Sequence, residues 1–295
     1  MIKCCAFGTI RIDIHVYKEY GQLSSYEETK VDEMALQVGG SVYNTAAVLN
    51  ALKQGTVLYT LNTDDELFDF IKARLKKSGI PFIISQNEHS STAVSIIFVD
   101  SLGKKKMVSY DGVRKDFYIL ERLKKDISDY DLFYTSFYEI NRQNISVLAE
   151  IMQKSRQCFI DLSPLIYEVD PDIINQALSH LQILSGTDDE YNLLLGLMKI
   201  GSIEKLIEKY NLKYVFVKKG SKGAALYYNN HVIECKPDGK KESRDTTGCG
   251  DTFNAGVIYS LSKNTSEADM LKNAVNFATL VAYKGFNPSL FAKIE

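Results

Sequence analysis

Four short apolar runs in the second half of the chain, Leu132-Phe133-Tyr134-Thr135, Cys158-Phe159-Ile160-Asp161, Ile183-Leu184-Ser185 and Tyr214-Val215-Phe216-Val217, are separated by stretches with helical character. No other feature narrows the choice of fold as much. A short apolar run without polar alternation is a strand covered on both faces. Strands joined through helices lie parallel, because a parallel pair needs a crossover. The same rhythm is present near the start. Cys4 to Phe7 reads as a buried strand stopped by Gly8, and Val42, Ala46, Ala47, Leu49, Asn50 and Leu52 fit a small-residue helix ending before Gly55. A strand at Thr56 to Leu61 and an amphipathic helix over residues 66 to 78 follow, the helix stopped by Gly79. The expected fold is α/β: a mostly parallel sheet with helices on both faces, three layers in all.

Two segments break this rhythm. Between residues 10 and 36, Ile10, Ile12, Ile14 and Val16 alternate with Arg11, Asp13, His15 and Tyr17, as in a half-exposed sheet. Thr92 to Val99 and Lys106 to Tyr110, joined by the turn Asp100-Ser101-Leu102-Gly103, read as a hairpin. Strands from about 10–36 and 91–112 then form a small β-sheet lid over one end of the main sheet. Ligands of open α/β sheets bind at the carboxyl ends of the strands, so a lid there excludes water from the site. With 5 prolines and no evident linker, residues 1–295 read as one domain.

Composition removes several function classes. A net charge of -2 gives no general attraction to nucleic acid or to an anionic membrane, and Lys104-Lys105-Lys106 reads as a solvated hairpin turn. No uninterrupted apolar window approaches the ~18 residues of a membrane span. The apolar start before Arg11 is too short for a signal peptide, so a cytoplasmic location is the expectation. The 5 cysteines form no CxxC pair and read as reduced thiols. Gly8-Thr9-Ile10 does not supply the G-x-G-x-x-G of a dinucleotide-dependent dehydrogenase, and no G-x-x-x-x-G-K-[ST] of a P-loop NTPase occurs.

The chemistry concentrates in Asp245-Thr246-Thr247-Gly248-Cys249-Gly250-Asp251-Thr252-Phe253-Asn254-Ala255-Gly256. Gly248 and Gly250 let backbone approach a bulky anion, and Phe253, Ala255, Val257, Ile258 and Leu261 give the following helix its apolar face. A helix start with bare N–H groups is an anion site. A carboxylate beside it, Asp251, repels a bound phosphate unless it has a task, such as taking the proton of the nucleophile that attacks that phosphate. The plainer alternative is an N-capped helix after a glycine turn.

Together with Gly39-Gly40-Ser41-Val42-Tyr43-Asn44-Thr45-Ala46, this run has the order and spacing seen in the ribokinase-like (PfkB) carbohydrate kinases, and the chain resembles that family over nearly its whole length. The opening strand with Asp13, the lid, Val215-Phe216-Val217-Lys218-Lys219-Gly220-Ser221-Lys222-Gly223 and Gly285 belong to the resemblance. It implies phosphoryl transfer from ATP to a hydroxymethyl group of a sugar-like acceptor. Asp251 matches the base, and Thr247, Gly248, Cys249 and Gly250 match the loop whose N–H groups hold the transferring phosphate. Asp13, Gly39, Gly40 and Asn44 match positions that hold sugar hydroxyls. Lys218, Gly220, Ser221, Gly223 and Thr247 match the nucleotide side, with Asn276 on the last helix, roughly Ala274 to Tyr283, as a further candidate.

Where the family has Asn-x-x-Glu acting through water on the nucleotide's Mg2+, this chain has Gly186-Thr187-Asp188-Asp189-Glu190, so the acid is Asp189 or Glu190. ATP and Mg2+ are thus the implied cofactors, and the resemblance leaves room for a monovalent cation. Fructose, a fructosamine or another keto-sugar type is the expected acceptor. A nucleoside needs an aromatic-lined base pocket, for which Tyr17, Tyr26, Phe98, Tyr110 and Tyr138 are the available residues. A nucleoside kinase and a non-catalytic sugar-binding relative stay as alternatives, and the chain is expected to be a monomer or a homodimer through the lid.

Overall fold

The computed structural model describes residues 2–18, 30–31, 33–61, 63, 65–85, 91–100, 105–112, 118–238 and 246–294. The chain begins with β1 (Cys4–Phe7), β2 (Arg11–Tyr17) and β3 (Met34–Gly39), and passes through Gly40 directly into α1 (Ser41–Ala51). Strand β4 (Thr56–Leu61) and helix α2 (Glu66–Ser78) have the expected bounds. The α2 start is fixed by Asp65, whose carboxylate accepts from the Phe68 N–H at 2.9 Å, and Gly79 closes the helix in the left-handed region. A short strand β5 (Phe82–Ser85) then precedes β6 (Ala93–Val99) and β7 (Lys105–Tyr110). The expected turn at Ser101 to Gly103, Lys104, Tyr26 and Asp245 lie outside the described residues.

The βα rhythm resumes with α3 (Tyr118–Asp126), β8 (Leu132–Ser136), α4 (Ile145–Lys154), β9 (Cys158–Asp161) and α5 (Pro171–Leu178). It continues through β10 (Ile183–Thr187), α6 (Asp188–Met198), α7 (Ile203–Tyr210) and β11 (Tyr214–Lys218). A hairpin of β12 (Ala224–Tyr228) and β13 (His231–Cys235) comes before α8 (Cys249–Ser262) and α9 (Glu267–Lys284). Neither β5 nor this hairpin was expected: both lie at the margins of the sheet, where short runs carry little periodic signal. Helix α9 begins earlier than its expected start at Ala274.

The main sheet has the order β13-β12-β11-β10-β9-β8-β1-β4-β5, parallel from β11 to β5 and closed at one side by the antiparallel β12 and β13. One face packs on α1, α2, α8 and α9 through side chains such as Leu49, Phe68, Val257 and Phe277. The other packs on α3 to α7 through Leu120, Leu148, Ile174, Tyr191 and Leu206. Successive strand residues point to opposite faces, so Phe159 belongs to the first core and Ile160 to the second. That two-sided cover is why these strands read as unbroken apolar runs. On the first face, two residues beyond Tyr134, Phe159 and Phe216, the strands carry Ser136, Asp161 and Lys218 at their carboxyl ends.

The second sheet, β3-β2-β6-β7, is the lid. Its alternation is present, but β2 is covered on both rows, with Ile12 and Val16 buried as well as Asp13 and His15. On the polar row Asp13 (8% exposed), His15 (2%) and Ser95 (0%) are covered while Gln37 and Met107 are exposed, and on the apolar row Met34, Leu36, Ile96, Val108 and Tyr110 are exposed. Ile12, Val38 and Val94 at the near end of that apolar row pack on the first core. The sheet then projects past the core, and its apolar face runs out of partners among the described residues.

Candidate active site

The two segments singled out by the sequence meet at Asp251. Ser41 Oγ donates to Asp251 Oδ1 at 2.7 Å and Asn44 Nδ2 donates to Oδ2 at 2.8 Å, so α1 grips both oxygens of a carboxylate in the first turn of α8. The helices are further tied by Thr45, whose hydroxyl donates to the Asp251 carbonyl at 3.1 Å and lies 3.2 Å from the Tyr134 hydroxyl. Asn254 of α8 donates to that same tyrosine at 3.1 Å. The approach is close because α1 carries Ala46 and Ala47 and is buried from Val42 to Leu49.

Helix α8 starts from Gly248 at φ 75° with no side chain capping it. An uncapped first turn leaves backbone N–H groups for an anion. The Cys249 N–H is partly taken up by the Thr246 carbonyl at 3.2 Å, so the remaining donors come from the rest of the turn. Below this turn lies a buried ion pair, Lys218 Nζ to Asp161 Oδ1 at 2.7 Å. A Cβ on Gly250 would stand 3.4 Å from Lys218 Nζ, which places the ammonium directly under the loop. Ser136 Oγ and Ser185 Oγ are buried without a hydrogen-bond partner among the described residues.

Burial pushes the Asp251 carboxyl above the ordinary range and Asp161 adds to this, while the Asn44 and Ser41 donors and Lys218 pull it back. For Lys218, burial acts to lower the pKa, but Asp161 and Glu190 outweigh it and the ammonium is held charged. Glu190 is raised, first by burial and then by Asp161, against the pull of Lys218. Glu190 also closes the capping box of α6 with Thr187: its carboxylate accepts from the Thr187 N–H at 2.8 Å. The two acids of that segment therefore separate, since Asp189 is exposed and Glu190 is buried beside the Lys218–Asp161 pair.

At the other end of the cleft, Asp13 lies against Gly39, where a Cβ would overlap its carboxylate. Gly40, at φ 111°, would drive a Cβ into the Thr9 carbonyl. A side chain at either position would meet this protein's own Asp13 or Thr9, and Gly40 in addition holds a φ that favours glycine. Thr9 Oγ1 donates to the buried Glu139 at 2.7 Å beside them. Arg11 of the polar row is bound by Ser95 and Asp111. Tyr138 is half-buried between the two ends, its hydroxyl pushed up to about 12, first by burial.

Asn44 therefore sits between the two ends: its amide serves Asp251, and its Oδ1 is buried and unpaired among the described residues. Gly220 and Ser221 are exposed beyond the carboxyl end of β11, with Gly223 buried behind them and Thr247 partly exposed. Asn276 is exposed on α9. Sequence reasoning missed Ser41, Asp161 and Glu139 as site residues. Ser41 had a signal, a hydroxyl three residues before Asn44 on one helix face, and Asp161 had another, an acid ending an apolar strand. Glu139 meets Thr9 only through the fold.

A family model described as pfkB family carbohydrate kinase matches residues 1–285. Ketohexokinase of Mus musculus is 24% identical over 278 residues, covering 89% of this chain and 90% of its own. Ribokinase from Thermotoga maritima superposes with a TM-score of 0.75 at 21% identity, covering 100% of this chain and 94% of its own. Adenosine kinase from Schistosoma mansoni in complex with 2-fluoroadenosine does so at 0.83 and 15%, covering 96% of both chains. No helix among the described residues is long and apolar enough to cross a membrane. With the family match running from the first strand to Gly285, the chain belongs to the pfkB family carbohydrate kinases and is an ATP-dependent carbohydrate kinase.

Proposed function

We propose that this kinase phosphorylates a hydroxymethyl group of an uncharged or amine-bearing sugar of the keto-sugar type, with Asp251 as the base. The observation that carries this reading is the double grip of Ser41 and Asn44 on Asp251, which joins the Gly39–Gly40 end of the cleft to the anion-binding turn of α8. The acceptor lies against Gly39 and Gly40, with Asp13 and Asn44 Oδ1 as partners for its hydroxyls. The hydroxyl to be phosphorylated donates to Asp251. Its oxygen forms a bond to the γ-phosphorus as the bond to the β-phosphate oxygen breaks, and its proton passes to the carboxylate.

The transition state is loose, so positioning and charge stabilisation carry most of the catalysis. The N–H groups of the Thr247 to Gly250 turn and the Lys218 ammonium supply that stabilisation. The buried Glu190 would be the acid acting through water on Mg2+, which prefers oxygen ligands and keeps several waters, while Asp161 is engaged by Lys218; when bound the ion would offset charge on the transferring phosphate. Gly220, Ser221 and Gly223 line the nucleotide side, with Asn276 on the exposed face of α9 as a further member of that set.

Two features favour a sugar over a nucleoside. Phe98 and Tyr110 pair with Val16 and Val94 and stand on the apolar row of the lid, away from Asp13. Tyr17 is at the far end of β2, which among the described candidates leaves Tyr138 near Asp251. The cleft also carries Asp13 and Glu139 while Arg11 is paired with Asp111, a balance that disfavours a phosphorylated or carboxylated acceptor.

The test is ADP release with ATP and Mg2+ against D-fructose, D-ribose, a fructosamine, adenosine and inosine. Turnover is expected with a ketose or fructosamine. Turnover with nucleosides alone overturns the acceptor assignment, and tight sugar binding without turnover points to a non-catalytic relative.

A further inference from the structure

The base is held before any acceptor arrives. Ser41 is the first residue of α1, and its hydroxyl donates to Asp251 Oδ1 at 2.7 Å while Asn44 occupies Oδ2. A hydroxyl donating to the base at this distance makes the same contact that an acceptor hydroxyl must make for its proton to be taken. Ser41 is itself fixed in place: it follows Gly40, the N-cap at φ 111°, and α1 is pinned to α8 by the Thr45 hydroxyl on the Asp251 carbonyl.

We propose that Ser41 is a positioning residue for the base: its hydroxyl aims the Asp251 carboxylate and fills the acceptor's place on Oδ1 until a sugar hydroxyl takes over. This rests on Asp251 being the base. In the sugar-free enzyme a water has to displace Ser41 before the carboxylate can activate it, which restrains ATP hydrolysis. When sugar binds, the carboxylate is already oriented and its preorganisation is retained. The charged and titratable groups facing Asp251 are Asp161 from β9, Lys218 from β11, Tyr134 from β8 and Tyr138 from the segment after β8. Ser41 is uncharged, so removing its hydroxyl takes away one hydrogen bond and leaves every one of those charges in place.

Ser41→Ala and Ser41→Thr are compared in the full-length enzyme with D-fructose, or whichever panel sugar turns over fastest, across pH, together with sugar-free ATP hydrolysis. The alanine variant is expected to lose about 10-fold in kcat/KM for the sugar, the scale of one hydrogen bond that orients a charged group in the free enzyme, with KM for ATP unchanged. Its acidic limb moves to higher pH, because losing a donor favours the protonated carboxyl. Hydrolysis rises as a fraction of turnover, and threonine, which keeps the hydroxyl, restores both the limb and most of kcat/KM. An alanine variant with the parental limb and hydrolysis fraction overturns the proposal, as does a threonine variant that behaves like alanine. Asp251→Asn separates the two levels: sustained turnover there defeats the base assignment itself, whereas lost turnover beside a silent Ser41→Ala defeats the role of Ser41 alone.

Discussion

The main sheet and the lid obey the same period-2 geometry, but the lid buries polar side chains beside apolar ones and leaves several apolar ones open. In the main sheet, Phe159 and Ile160 face opposite ways and both are fully buried, one in each core. In the lid, Asp13, His15 and Ser95 are buried while Leu36 and Val108 are exposed. A sheet covered by helices on both faces needs apolar residues at every position. A sheet that projects past the core covers only part of its apolar row, at Ile12 and Val16, and leaves it open at Leu36 and Val108. Burial in this protein therefore follows what each face touches, and hydrophobicity alone does not predict it.

Breaking the cleft at its main-sheet side gives the largest effect. Asp251→Asn is expected to lower kcat by about 10²- to 10⁴-fold, the usual contribution of a general base, with nucleotide binding nearly intact by calorimetry. In the parent enzyme, activity falls with decreasing pH as Asp251 takes up a proton, and because its pKa is raised this loss begins above the range of a solvent-exposed aspartate. A kcat/KM profile against pH checks this.

Lys218→Met leaves Asp161 buried without its partner, and a cost of about 3–5 kcal/mol in urea unfolding is expected for a broken buried pair. The contrast sharpens at the lid. Asp13→Ala removes a charged hydrogen-bonding partner of the acceptor, so KM for the sugar should rise about 10- to 100-fold while KM for ATP stays level; equal changes in both would place Asp13 outside the acceptor end. Leu36→Ser, on the open apolar row, should change stability by less than about 0.5 kcal/mol, whereas a large loss on thermal unfolding would mean that this row is covered in solution.

Particular residues show how far the sequence could be read. The bounds of β4 and α2 follow from residues next to each other in the chain, with Asp65 and Gly79 marking the ends of the helix. Asp251 could be singled out because its anion-binding turn is local. The partners that set its chemistry could not: Ser41 and Asn44 are 210 and 207 residues away, and Lys218 meets Asp161 across 57. Asp189 and Glu190 could not be told apart either, since the distinction lies in which one turns inward at the start of α6.

By itself, then, the sequence determined the α/β layering, the strands of the second sheet and the glycine turn before α8 with its carboxylate, because periodicity and turn chemistry act over a few residues. Only the tertiary structure decided which lid side chains are buried, that Ser41 and Asn44 both bond Asp251, and that Asp161 and Lys218 lie close to it. Contacts across a sheet depend on strand order and on the packing of α1 against α8, and no local window of the chain contains either.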